Sequence, residues 1–177
     1  MELNPRLFVL PDAEIQQHGF DNLIYGSLTN KGLKTLIKTI HTVYSCNEIY
    51  GLDLGCGDGE LIYHLEKDMP GSVWEGVEIS HHRVAMQKRD VIIWEGDMLE
   101  ENLRPYNILH ADNLCLDDNT ADLLEEKIIR EFTGLYISYR TPHNTQFLKH
   151  AHYITTIPTE TTWTTHPIHY YAITALN

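Results

Sequence analysis

Residues 49–59 read Ile49-Tyr50-Gly51-Leu52-Asp53-Leu54-Gly55-Cys56-Gly57-Asp58-Gly59. A short apolar run of strand character enters a turn of alternating glycines, and beyond it Leu61, Ile62 and Leu65 recur at helical spacing until Pro70-Gly71 stops them. This strand, glycine loop, helix unit opens a series. Ser72 to Ile79, Val91 to Trp94, Asn107 to Ala111 and Gly134 to Tyr139 read as further strands, with helical patterns over 81–89 and 119–132 between them. Upstream, Leu33, Leu36, Ile37 and Ile40 share one face of a helix over 31–44, behind a Thr29-Asn30 start that can cap it. Near the end, Ile154 to Ile157 and Ile168 to Ile173 are β-branched and aromatic and flank a threonine-rich turn, as in an antiparallel hairpin. The expectation is an α/β fold: a mostly parallel seven-stranded sheet covered by helices, with a C-terminal antiparallel hairpin.

With 177 residues, 42% of them hydrophobic, the chain can bury one sizeable core, so a single domain over 1–177 is expected. No apolar run has the length of a membrane span, and the start lacks the basic and apolar regions of a signal peptide. An intracellular protein, neither secreted nor bound to a membrane, and a monomer, is the expectation. The three cysteines, Cys46, Cys56 and Cys115, are widely spaced, which indicates neither a disulfide framework nor a metal site. The formal net charge of -12 argues against sequence-blind attraction to nucleic acid phosphates. Acidic residues crowd the stretch from Glu95 to Glu126, so any basic surface lies elsewhere. Lys31, Lys34 and Lys38, with His41, recur at three- and four-residue steps on the polar face of the first long helix, where they can contact DNA or form a plain solvated face.

A glycine turn at a strand end puts backbone N–H groups and a helix N-terminus beside a crevice, a site for a nucleotide-like ligand. Glu78 falls about twenty residues later at the end of the next strand, where a carboxylate can accept both hydroxyls of a ribose. Dinucleotide sites usually show Gly-x-Gly-x-x-Gly, whereas Gly55, Gly57 and Gly59 alternate here behind Asp53. Asp53 and Asp58 would repel a pyrophosphate and attract a sulfonium or an ammonium. Asp53-Leu54-Gly55-Cys56-Gly57-Asp58-Gly59 resembles the first motif of the class I S-adenosylmethionine-dependent methyltransferases, Gly76-Val77-Glu78 the second and Gly96-Asp97-Met98 the third. The resemblance implies a Rossmann-like fold and S-adenosylmethionine as cofactor, with Asp97 at the adenine amino group and Met98 over the ring.

Three further segments resemble one family, the Dot-one (disruptor of telomeric silencing) non-SET histone-lysine methyltransferases. Ile24-Tyr25-Gly26-Ser27-Leu28-Thr29 is similar to the loop that closes over the cofactor there. Ala111-Asp112-Asn113-Leu114-Cys115-Leu116 stands in the place of its Asn-Asn-Phe-x-Phe motif. Trp163-Thr164-Thr165-His166-Pro167-Ile168-His169-Tyr170-Tyr171 resembles its Trp-Thr-x-x-Pro-x-x-Tyr-Tyr segment. This resemblance implies methyl transfer to a core lysine of histone H-three in the nucleosome, in a nucleus, or in a host nucleus or viral factory if the source is a large DNA virus. It also implies Tyr25, Gly26, Thr29, Asp53, Gly55, Gly57, Glu60, Glu78, Asp97, Met98 and Asn113 as cofactor contacts. Asn113, Trp163 and Tyr170 would serve the reaction, the two rings lining a channel for the lysine. Ser27, Glu60, Met98, Asp112, Leu114 and Leu116 depart from the family pattern, and its helical N-terminal region and basic extension are not matched.

The residues leave other readings open. Trp163 and Tyr170 can be hairpin core and Asn113 a strand-end cap. A class I enzyme for another protein or a small molecule, or a cofactor-binding module without turnover, shares the same motifs. A nicotinamide-dependent oxidoreductase is disfavoured by the glycine spacing.

Overall fold

The computed structural model describes residue 1 and residues 4–176. Seven strands form one sheet: β1 (Tyr50–Leu54), β2 (Val73–Glu78), β3 (Ile92–Glu95), β4 (Ile108–Ala111), β5 (Gly134–Ser138), β6 (His152–Glu160) and β7 (Thr165–Ile173). Their order is β3-β2-β1-β4-β5-β7-β6, parallel from β3 to β5 and antiparallel at β5–β7 and β7–β6. The expected mixed sheet with its C-terminal hairpin is the one observed.

The order reverses between β1 and β4, and ligand crevices open at the carboxyl ends of strands flanking such a reversal. Register brings those ends level: Asp53 pairs with Gly76 on one side and His110 on the other, and Ala111 with Ser138.

The helices are α1 (Asp12–His18), α2 (Asn30–Val43), α3 (Glu60–Asp68), α4 (His81–Val84), α5 (Asp118–Glu131) and α6 (Thr145–His150). Leu33, Leu36 and Ile40 of α2 and Ile62 and Leu65 of α3 pack one face of the sheet, where Tyr139 and Tyr170 are also buried. Leu124 and Ile128 of α5 and Phe147 of α6 pack the other, against Tyr136 and Tyr171. Strand alternation therefore sends Tyr170 and Tyr171 into opposite cores.

Two short elements escape the sequence reading, and one expected helix is shorter. α1 and α6 have seven and six residues, too few for a periodic signal, although Asn144 caps α6 through the amides of Gln146 and Phe147. The pattern over 81–89 yields only α4, because the Gln87 side chain donates to the carbonyls of Arg89 and Val91 and turns the chain toward β3. Among the described residues no helix is long and apolar enough to cross a membrane.

Candidate active site

The cleft lies over the ends of β1, β2 and β4. Gly55 adopts φ +84°, and a Cβ built on it would meet nothing within 4 Å, so the loop presents bare main chain to open space. The loop is not an anion nest, however. Gly55 and Cys56 N–H donate to the Val77 carbonyl (2.8 and 3.1 Å), Gly57 N–H to Glu78 Oε2 (2.9 Å) and Gly59 N–H to the Cys56 carbonyl (3.1 Å). With these donors bonded inside the protein the turn offers little to a pyrophosphate, in line with the glycine spacing and the flanking Asp53 and Asp58.

Glu78 is buried; its Oε1 accepts from Ser80 N–H at 3.0 Å and stands 3.7 Å from Arg83 Nη1. Burial raises its proton affinity, and Arg83 and the Ser80 and Gly57 amides oppose that. A carboxylate with two amide partners keeps accepting capacity toward the cleft it lines. Arg83, itself buried, donates to the carbonyls of Leu7 (3.0 Å) and Leu23 and lies 5.1 Å from the centre of the Tyr25 ring. It ties the N-terminal segment to the cleft wall. Glu14 of α1 adds to this by accepting from Ser80 Oγ (2.5 Å) and His82 N–H (3.0 Å).

Tyr25, Gly26, Gly55, Glu78, Asp97, Met98 and Asn113 line the main cleft, as the sequence reading expects. An annex shares Tyr25, Gly26, Gly55 and Asp112 with it and adds Asp53, His110 and Tyr139. There His110 Nδ1 meets Asp53 Oδ1 at 2.8 Å and His110 Nε2 meets Tyr139 Oη at 2.9 Å. Tyr25 also covers the glycine loop: a Cβ on Gly57 would stand 2.6 Å from its ring.

Other expected residues serve the frame. Thr29 caps α2 by accepting from Gly32 N–H (3.1 Å) and donates to Glu160 Oε1 (2.7 Å); it does not line the cleft. Glu60 is held by Arg89 (3.1 Å) and His64 (3.1 Å) on the side of α3 and faces no ligand space. Asn113 is a staple: its Oδ1 accepts from Tyr139 N–H (3.0 Å), Arg140 N–H (2.9 Å) and Ser138 Oγ (3.2 Å), and its Nδ2 donates to Tyr136 Oη (3.0 Å) and Ser138 Oγ (2.9 Å). Its amide is committed to the protein, against the role of orienting an amine.

Tyr170 is fully buried in the α2-side core and lines neither part of the cleft, so it is no channel wall in this structure. Trp163, 44% exposed at the hairpin turn, lies against Gly26 of the loop over residues 24–29, since a Cβ built there would be 2.1 Å from its ring. It supports the loop without lining the cleft.

The sequence reading missed the lip. Gln17, His18, Asp21 and Asn22 come from α1 and the following turn, which carry no motif, and Ile24 adjoins them at the start of the quoted loop segment. The cleft is acidic: Asp21, Glu78, Asp97 and Asp112 line it, against the engaged Arg83 and His18.

No protein-family model matches the chain. Trans-aconitate 2-methyltransferase of Mycobacterium tuberculosis is 29% identical over 103 residues, 56% of this chain and 40% of that protein. The chain thus spans about two fifths of the curated relatives it matches. Among solved structures, magnesium protoporphyrin IX methyltransferase from Synechocystis PCC 6803 with bound S-adenosylmethionine superposes with a TM-score of 0.63 at 12% identity, covering 94% of this chain and 99% of that one. The plantazolicin methyltransferase BpumL in complex with S-adenosylhomocysteine does so with a TM-score of 0.51 at 16% identity, over 75% of this chain and 55% of that one. The fold is that of the class I S-adenosylmethionine-dependent methyltransferases.

Proposed function

We propose that the chain is an S-adenosylmethionine-dependent methyltransferase whose acceptor is an amine. The observation that carries this reading is the cleft: bare main chain at Gly55, the buried Glu78 carboxylate and the Asp97-Met98 pair converge at the strand reversal. Glu78 would hold the ribose, Asp97 and Met98 the adenine, and the Gly55 surface with Asp53 the cationic amino-acid end. Bound there, S-adenosylmethionine would supply a sulfonium methyl group for transfer to the acceptor nitrogen. The protein's part is to align the two and exclude water, which Tyr25, lying on the glycine loop, is placed to do.

The acidic lining favours a cationic or neutral acceptor over an anionic one. Together with the sequence resemblance to the Dot-one family, that supports a protein lysine, and in the finer form a core lysine of histone H-three in a nucleosome, met in a nucleus or viral factory. Calorimetry with S-adenosylhomocysteine tests the cofactor. Binding by the wild type is expected, weakened at least about tenfold in Glu78→Gln, because a charge-assisted hydrogen bond contributes roughly 1.5–3 kcal/mol. Unchanged affinity in a folded variant takes Glu78 out of the site. Labelled cofactor offered with nucleosomes, free histones and carboxylate-rich small molecules tests the acceptor. Transfer to nucleosomes is the expected result; labelling of the small molecules alone overturns the amine reading.

A further inference from the structure

Asp112 follows β4 and lines both the main cleft and its annex. The two carboxylates in the annex differ. Asp53 is answered by His110, which is fixed at its other end by Tyr139, whereas no described residue donates a hydrogen bond to the Asp112 carboxylate. Desolvation pushes the Asp112 carboxyl up to about 7; His110 opposes this and Asp53 adds to it. The titratable groups facing it are Asp53 from β1, His110 from β4, Tyr139 after β5, Tyr25 and Asp21 from the N-terminal segment and Cys115 from its own loop. None of these is an uncommitted cation. The protein holds beside the glycine loop a carboxylate that it leaves for something entering the cleft.

Resting on the amine-methyltransferase reading above, the geometry points to Asp112 as the group that receives the acceptor's ammonium and takes its proton. One proton passes from R–NH3+ to a carboxylate oxygen of Asp112, leaving R–NH2 with its lone pair free; the proton later leaves Asp112 for solvent. With the acceptor seated and water displaced, the neutral pair would be favoured over two desolvated charges. His110 is held between Asp53 and Tyr139, so its ring nitrogens are spent there and Asp112 is left to meet the acceptor.

Asp112→Asn tests this with three readouts. The folded chain holds the Asp112 proton more tightly than the unfolded chain, whose value is near 3.8, so this stability is full in acid and lost as pH rises through about 7. The variant should therefore melt several degrees above the wild type at pH 8.5 and gain nothing at pH 4, whereas an aspartate kept for structure would lose stability on substitution at both. S-adenosylhomocysteine affinity by calorimetry should stay within about threefold. Methyl transfer to nucleosomes, with poly-L-lysine as a second probe acceptor, should show in the wild type an acidic limb near pH 7. In the variant that limb should vanish and kcat should fall roughly 100-fold, the lower range for a positioned acid or base. A tenfold loss of S-adenosylhomocysteine affinity overturns the proposal in favour of the cofactor's own ammonium. An unaltered pH profile overturns it with the methyltransferase reading intact. A wild type that binds no S-adenosylhomocysteine removes the reading on which it rests.

Discussion

At the residue that the family resemblance marks for chemistry, the structure shows a hub. Asn113 joins the end of β4 to the end of β5 through five hydrogen bonds inside the protein. Asn113→Ala would leave the Tyr139 and Arg140 amides without their acceptor and the Tyr136 hydroxyl without its donor, costing about 2–3 kcal/mol as polar groups lose a partner. A clear drop in Tm by circular dichroism is expected; an unchanged Tm with abolished transfer would return Asn113 to the chemistry. Glu78 fits its expected place because an acid at a strand end is positioned by local sequence alone. Tyr170 does not fit its place, and Asn113 lines the cleft with its amide spent inside the protein, because what a side chain touches depends on the neighbouring strand and the covering helix.

At the scale of elements, the loop over residues 24–29 and the hairpin turn act together. Thr162 N–H donates to the Ser27 carbonyl (2.9 Å), Thr29 N–H to the Glu160 carbonyl (3.2 Å), and the Trp163 ring lies on Gly26. The loop that covers the glycine turn is thus seated on residues more than 130 positions later. Gly26→Ala would force the ring or the loop to move, since its Cβ would fall 2.1 Å from Trp163. Calorimetry should show S-adenosylhomocysteine affinity reduced about tenfold with little change in Tm, and Gly26→Ala/Trp163→Ala should recover most of it by removing the clash. A double variant no better than the single would show that Trp163 does not seat the loop.

Over the whole molecule, charge is segregated. The cleft and its lip are acidic, while Lys31, Lys34 and Lys38 are exposed on the outer face of α2, with Lys31 3.9 Å from Glu160. On the proposed nucleosome reading, a chain with a net charge of -12 would need a local cationic face to approach DNA, and the α2 stripe is the candidate. Lys34→Glu/Lys38→Glu should lower methylation of nucleosomes and flatten its salt dependence while S-adenosylhomocysteine binding holds; unchanged salt dependence would make the stripe an ordinary solvated face. The sheet, the helices α2, α3 and α5 and the place of the crevice were legible in the sequence because they rest on periodicity and on turn residues, which act within a few positions. That Gly55, Glu78, Asp97 and Met98 stand at the crevice and Asp53 at its annex was legible for the same reason. The lip from α1, the seat of the 24–29 loop on the hairpin, the burial of Tyr170, the commitment of Asn113 and the unanswered carboxylate of Asp112 were decided by tertiary structure alone. Each depends on which distant segment supplies a hydrogen bond or a covering ring, and local pattern carries no record of that pairing.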